Sequence, residues 1–263
     1  MMDRILLSAS LAALLAACAA CTVKEDRGPC PCILTVSFMD PDVTGPVELL
    51  GWDSETVFRE RTRIEDCRPE WTKPVRKDVF TLSACKGVVD STVPIGHEIR
   101  IPANCQADSL YAYFEEVDAT GDLAHADVSF RKQFATVFLD IRKTTETVRA
   151  CRFQVDGNTC GFDLLDFSPL AGLFHFEPVP TMGETAVTFR IPRQVDDSLT
   201  VTIQPEGSPA ACFPLGEYIH RLGYNWKAEE LQDIFVSIDL VRGLADLQIA
   251  DWEEGTAFPL IEQ

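Results

Sequence analysis

Sulfur and titratable side chains set the first limits on the chemistry open to this chain. Of its ten cysteines, Cys30 and Cys32 stand one residue apart in a CPC run. Two thiolates at that spacing can bind a soft metal, but structural zinc takes four well-placed ligands and nothing nearby completes the set. No metal and no cofactor is therefore expected, and disulfides are the simpler use of cysteine in an exported chain. The four histidines are His97, His125, His175 and His220. HEIR at His97 lacks the second histidine of HExxH, and neither a GxSxG elbow nor a phosphate-binding glycine loop occurs. His125 precedes Asp127 and His175 precedes Glu177, spacings that give little support to a catalytic pair. Glu115–Glu116 and Glu253–Glu254 would need an opposed partner across a sugar to do glycosidic chemistry. As adjacent pairs they serve solubility more simply. Asp40 and Asp42 are not followed by an EF-hand loop. Trp52, Trp71, Tyr111 and Tyr113 offer surfaces for a glycan, with core packing their more ordinary use. The expected reading is a protein that is not an enzyme.

The elements that must carry these residues are short and extended. ILTVSF (Ile33 to Phe38) alternates in the twofold period of a strand, with MDPD as the following turn. Val47 to Gly51, Val79 to Leu82, His97 to Ile101 and Ser109 to Phe114 continue the pattern. A second series starts with FATVFLDI (Phe134 to Ile141) and runs through Val148 to Phe153, Gly172 to Phe176, Thr185 to Ile191 and Leu199 to Ile203. Each run is too short to bury an apolar face alone, so two packed sheets are expected. The polar stretch from Ala119 to Asp127 reads as a boundary, dividing the exported chain into about 95 and 135 residues. Gly157 to Gly161 is the alternative boundary, with Cys160 in a turn. Near the end, Tyr218, Leu222 and Trp226 have helical spacing interrupted by Gly223, and Leu231 to Gly243 followed by Leu247 to Trp252 reads as a hairpin.

At the amino terminus, Arg4 precedes an apolar run from Ile5 to Ala20 that ends in small residues and cysteine, the layout of an export signal. LAAC at Cys18 matches a bacterial lipoprotein signal better by its local side chains. Cys21 leaves an even set behind it: Cys30, Cys32, Cys67, Cys85, Cys105, Cys151, Cys160 and Cys212, which could all pair, in an order the sequence does not fix. Lipidation leaves no transmembrane helix, only a body tethered through residues 21–32. The body carries 40 acidic and 22 basic side chains once Asp3 and Arg4 depart with the signal, so the formal charge stays at -18. That balance argues against a nucleic-acid partner, because phosphate-backbone affinity comes from lysine and arginine. Arg59, Arg61 and Arg63 are interrupted by Glu60, Glu65 and Asp66 and read as a solvated mixed surface.

CTVKEDRGPCP (Cys21 to Pro31) followed by LTVSF resembles the start of FimB/Mfa2-type fimbrial anchor proteins of Bacteroidales. RKQFATVFLDI (Arg131 to Ile141) is similar to that family's second-domain opening, and GYNWKAEELQDIFVSIDLVRGLADLQIADWEEG (Gly223 to Gly255) to its closing hairpin. The resemblance implies a mainly β fold of two tandem transthyretin-like β-sandwich domains, residues 33–128 and 129–263, behind a signal at 1–20. It implies lipidation of Cys21, with Cys18 the alternative, and anchorage in the outer membrane at the cell surface. The implied partner is a fimbrial subunit protein, held by strand addition, in a role of anchoring, assembly or length control. Ile234, Val236, Ile238, Leu247 and Ile249 then belong to the supporting core, capped by Trp252. A surface lipoprotein that binds glycan or another extracellular ligand is the alternative function.

Overall fold

Two-residue alternation builds nearly every element of the computed structural model, which describes residues 30–88, 94–142, 151–180, 186–239, 244–249, 256–259 and 261–262. In chain order the first half forms β1 (Cys32–Phe38), β2 (Pro46–Asp53), β3 (Glu55–Arg63), β4 (Trp71–Val75), β5 (Val79–Lys86), β6 (Pro94–Ile95), β7 (Glu98–Arg100), β8 (Tyr111–Asp118), β9 (Leu123–Val128) and β10 (Arg131–Lys132). The second half forms β11 (Phe134–Ile141), β12 (Cys151–Asp163), β13 (Pro169–Phe176), β14 (Ala186–Pro192), β15 (Thr200–Pro205) and β16 (Ala211–Phe213). A helix α1 (Leu215–Arg221) then precedes β17 (Ile234–Asp239), β18 (Leu244–Ile249), β19 (Thr256–Pro259) and β20 (Ile261–Glu262). In β1, Cys32, Leu34 and Val36 are buried and alternate with a more exposed Ile33. In β17, Ile234, Val236 and Ile238 are buried while Phe235 faces outward.

Among the described residues four sheets form, ordered β4-β1-β9, β10-β8-β5-β2-β3, β14-β11-β17-β18-β19 and β20-β16-β15-β12-β7-β6, with β13 also on β12. The two halves repeat one wiring. β1 lies between antiparallel β4 and parallel β9, as β11 lies between antiparallel β14 and parallel β17. β2 pairs with β3 and β5, as β12 pairs with β13 and β15. β5 continues to β8 and β15 to β16. The molecule is thus mainly β, with small sheets in tandem units.

Both sheets of each unit feed one buried cluster, because each has a single apolar face to remove from water. The first holds Leu34, Leu49, Phe58, Trp71, Phe80 and Val128; the second holds Val137, Phe153, Phe189, Phe213, Ile234 and Ile238. A third joins them: Leu50, Cys85 and Ala112 pack with Ile99, Phe162, Leu164 and Phe167.

Several sequence expectations change here. Within the polar stretch from Ala119 to Asp127 that reads as a boundary, the chain enters β9 (Leu123–Val128), which pairs in parallel with β1. Gly157 to Gly161 is no boundary but the middle of β12, a 13-residue strand whose register slips at Gly157/Thr159 and Thr159/Gly161. Its glycines answer close approach, not a turn. A Cβ on Gly161 would lie 2.1 Å from the Ile99 carbonyl oxygen, and one on Gly157 would lie 2.5 Å from Gln194 Oε1. β7, which the sequence groups with the first unit, instead pairs with β12.

The eight cysteines read as possible disulfide partners take the following places. Cys30, Cys32, Cys67, Cys85, Cys105, Cys160 and Cys212 are free thiols. Cys32 and Cys67 are filled into the first core, Cys85 into the joining cluster, and Cys151 is buried in the second core. Cysteine packs as a small apolar side chain, so an even count does not by itself imply pairing. Burial raises the thiols of Cys32, Cys67 and Cys85.

Candidate functional site

A cleft of about 700 Å³ forms where the two units meet. Separate segments build it. β8 brings Ala112, Tyr113 and Phe114; the chain around β10 brings Arg131 and Gln133; the turn after β12 brings Asp166 to Pro169. The loop after β14 brings Arg193 to Asp197, and the chain from the end of α1 onward brings His220 and Tyr224 to Glu229.

Local folding explains how the last of these segments arrives. α1 buries Leu215, Tyr218 and Ile219, then stops at Gly223, whose φ of +84° suits glycine. The Gly223 amide donates to His220 O at 2.9 Å and the Tyr224 amide to Ile219 O at 3.0 Å. The helical spacing through Trp226 is therefore only partly realised. Trp226 lies beyond the helix yet is buried, with its ring edge-on to Tyr224 at 4.8 Å.

Arg193 fixes this loop. Its side chain is buried, and Nη1 donates to the carbonyl oxygens of Trp226 and of Ala228, the latter at 2.7 Å. Nη2 donates to Gln133 Oε1 at 2.9 Å and reaches Glu229 O at 3.4 Å. Carbonyl dipoles thus surround the charge, and burial draws its pKa downward. Neighbouring groups are held in turn. Gln194 Nε2 donates to Pro192 O at 2.8 Å, the Val195 amide donates to Thr159 Oγ1 at 3.1 Å, and Tyr224 Oη donates to Gln232 O at 2.9 Å. At the rim, Arg131 pairs with Glu229 at 3.0 Å and His220 with Asp197 at 3.2 Å. Asp196 accepts from Ser198, which lowers its pKa. Tyr113 is pushed upward by burial and by its hydrogen bond to Glu115.

Residues singled out in the sequence are mostly elsewhere. Ile234, Val236 and Ile238 are in the second core. Leu247 and Ile249 lie on β18, where they register with Val236 and Ile234; their side chains, Trp252, Glu253, Glu254, Cys18 and Cys21 lie outside the described residues. His125 does meet Asp127, at 2.9 Å, but His175 meets Asp156 across β12 and β13 at 2.7 Å instead of Glu177. His97 binds Asp163 at 2.9 Å and abuts Trp52. Trp71 is core, with Nε1 donating to Glu60 at 3.3 Å, and Tyr111 packs on Phe134. Asp40 accepts from the Asp42 amide in a local turn. Among the described residues, no group of three or more His, Cys, Asp or Glu could hold a metal ion. Of the sequence candidates only Tyr113 and His220 line the cleft with Trp226; Phe114, Arg193 and Asp196 carried no motif.

No family model matches the chain, and no curated protein does. Solved structures do. A candidate polysaccharide-binding protein from Bacteroides thetaiotaomicron superposes with a TM-score of 0.63 at 12% identity, covering 87% of this chain and 98% of that one. The fimbrial anchor protein Mfa2 from Porphyromonas gingivalis gives 0.58 at 11%, covering 85% and 98%. A candidate adhesin from Bacteroides ovatus gives 0.60 at 11%, covering 89% and 97%. This chain shares their fold. At such identities the likeness extends to the fold alone.

Proposed function

We propose that this protein is an outer-membrane lipoprotein that anchors a fimbria and contributes to its assembly or length control through protein–protein contacts. The observation that carries the reading is the combination of an export segment ending in Cys18 and Cys21 with a fold shared over nearly all of the Mfa2 chain. Acylation falls on Cys21, with Cys18 the alternative, and residues 21–32 form the tether. Several acyl chains would give lasting attachment where one gives only marginal binding. The tandem units are transthyretin-like sandwiches, residues 33–128 and 129–263. Sheets that end at β4, β9 and β14 leave strand edges to which a fimbrial subunit can add through backbone hydrogen bonds. This mechanism needs no catalytic residue.

Mass spectrometry of membrane-extracted protein, after cross-linking in cells, tests the proposal. An acylated N-terminal cysteine and a cross-link to a polymerising fimbrial subunit are the expected results. An unlipidated protein with no such cross-link would overturn it.

A further inference from the structure

Strand addition needs backbone N–H and C=O groups that point away from the sheet at every second residue, and the edges of this molecule differ in what they offer. β4 is interrupted. The Ile33 amide donates to Asp122 O at 2.9 Å, so Ile33 faces β9 while Cys32, Leu34 and Val36 face β4. Their partners Val75, Lys73 and Trp71 turn inward, which leaves Thr72 and Pro74 turned outward. Pro74 has no N–H to give. β3 carries arginine at 59, 61 and 63, long charged side chains of the kind that guard an edge.

β14 is covered by the chain itself. At its middle the Arg190 carbonyl oxygen accepts from the Ala107 amide at 3.2 Å, and the Arg190 amide donates to Gln106 Oε1 at 3.0 Å. Arg190 Nε also donates to Ala107 O at 2.9 Å, so the connection between β7 and β8 is strapped along this edge. The next outward residue, Pro192, again lacks a donor.

β9 has neither obstacle. The Ile33 amide bonds Asp122 O and the Met39 amide bonds Val128 O at 3.0 Å, so the even-numbered residues of β9 turn toward β1. Leu123, His125 and Asp127 are left facing outward, each with an N–H and a C=O. β9 ends its sheet, and among the described residues nothing hydrogen-bonds these backbone groups. Their side chains stand on the open face of the sheet, where Leu123 is 76% exposed.

The packing around β9 says what kind of strand fits. Its sheet has three strands facing five. Tyr113 on β8, Ala124 on β9 and Phe130 just beyond it are only partly buried against the first core. An added strand would lay apolar side chains over this margin from one face. Its other face would stand beside Leu123, His125 and Asp127, where a basic residue suits the Asp127 carboxylate and a chain of formal charge -18. A second copy of this chain would bring the same negative charge to the contact.

We propose that β9 is the edge to which an extended segment of another polypeptide adds, with alternate apolar side chains over Tyr113 and Ala124 and a basic residue beside Asp127. The edge follows from geometry; that the segment belongs to a fimbrial subunit rests on the function proposed above. Titration of the full chain in detergent with a nine-residue peptide tests the edge without any fimbria. The peptide alternates valine with threonine and carries a central lysine, and a second peptide has glutamate in its place.

The lysine peptide should bind saturably with Kd below about 1 mM, and the Leu123, His125 and Asp127 amides should gain protection from hydrogen exchange. The glutamate peptide should bind about threefold more weakly. His125→Pro removes one outward N–H and leaves the bonds to β1 intact, so binding should weaken about fivefold. Leu123→Lys, at an exposed position, should weaken it as well and keeps the test available if the proline variant loses the parent's urea midpoint. Thr188→Pro on β14 should change nothing.

Absence of binding, protection on β14 instead of β9, or undiminished binding by both β9 variants would overturn the proposal. So would dimerisation of the full chain that His125→Pro abolishes, which assigns the edge to a second copy. Photocross-linking in cells from positions 123 and 188 separates the two readings. A fimbrial cross-link from 188 alone overturns the β9 assignment and keeps the anchor reading. Peptide binding at β9 with no fimbrial cross-link from either position keeps β9 and overturns the anchor reading.

Discussion

Arg193 offers the sharpest test of how the junction is held. Replacing it with methionine preserves an unbranched side chain of similar reach and removes the guanidinium. Three acceptors would then lose a charged donor: the carbonyl oxygens of Trp226 and Ala228, and Gln133 Oε1. The fourth contact, at 3.4 Å to Glu229 O, is too long to add much. Each stranded buried acceptor costs about 1–3 kcal/mol, a gross loss of roughly 3–9 kcal/mol. Against this, the methionine variant no longer buries a charge, a relief of several kcal/mol. The expected net destabilisation is about 2–4 kcal/mol. Arg193→Lys keeps the charge but not the fork that reaches both the loop and Gln133, so it should fall between methionine and the parent. Urea unfolding followed by tryptophan fluorescence measures the difference, and hydrogen exchange at residues 226–232 localises it. If Arg193→Met unfolds within about 0.5 kcal/mol of the parent and exchange in that loop is unchanged, the bracing argument is wrong.

Other consequences follow from single contacts. Gly161→Ala places a methyl against the Ile99 carbonyl oxygen and should cost about 1–3 kcal/mol. Gly121→Ala, whose Cβ meets nothing nearer than 3.7 Å, should stay within about 0.5 kcal/mol; equal midpoints would refute the close β7–β12 approach. Glu65 accepts from the Gly45 amide at 2.8 Å and from Arg63, which hold its carboxyl down at about 2. Its stabilisation should be complete above the ordinary value of 4.5 and disappear as pH falls through about 2, and Glu65→Gln should flatten that part of the acid-unfolding curve. Under native conditions Cys30 and Cys105 should react first with a thiol reagent, while Cys32, Cys67 and Cys85 wait for unfolding. Peptide mapping that finds Cys30 or Cys105 already joined in a disulfide would contradict this order.

Strands whose side chains alternate between core and solvent were legible one at a time. Phe134 to Ile141 matches β11, and the faces of Ile234 to Ile238 separate as buried and exposed. Weakly apolar strands escaped notice. β3 reads ETVFRERTR and is charged because only Phe58 along it is buried, and β9 includes the polar stretch first read as a boundary. The helix was visible in the spacing of Tyr218 and Leu222, but its end depended on Gly223, and the Trp226 that continued the spacing was used for something else. None of the cleft could be read locally. Its residues are drawn from positions 112 to 229, and no segment contains enough of them to form a pattern.

The sequence by itself determined the acidic balance, the predominance of short strands and the inward faces of the clearest ones. Those properties are local, because a strand shows its buried face every second residue. Tertiary structure decided which strands pair, that both halves share one wiring, and that β7 leaves the first unit's sheets to join β12. It also decided that Cys32, Cys67, Cys85 and Cys151 fill cores and that Arg193 is enclosed by carbonyl oxygens. These outcomes depend on groups far apart in the chain meeting at a few ångströms, a condition set by packing and register that no single stretch of residues carries.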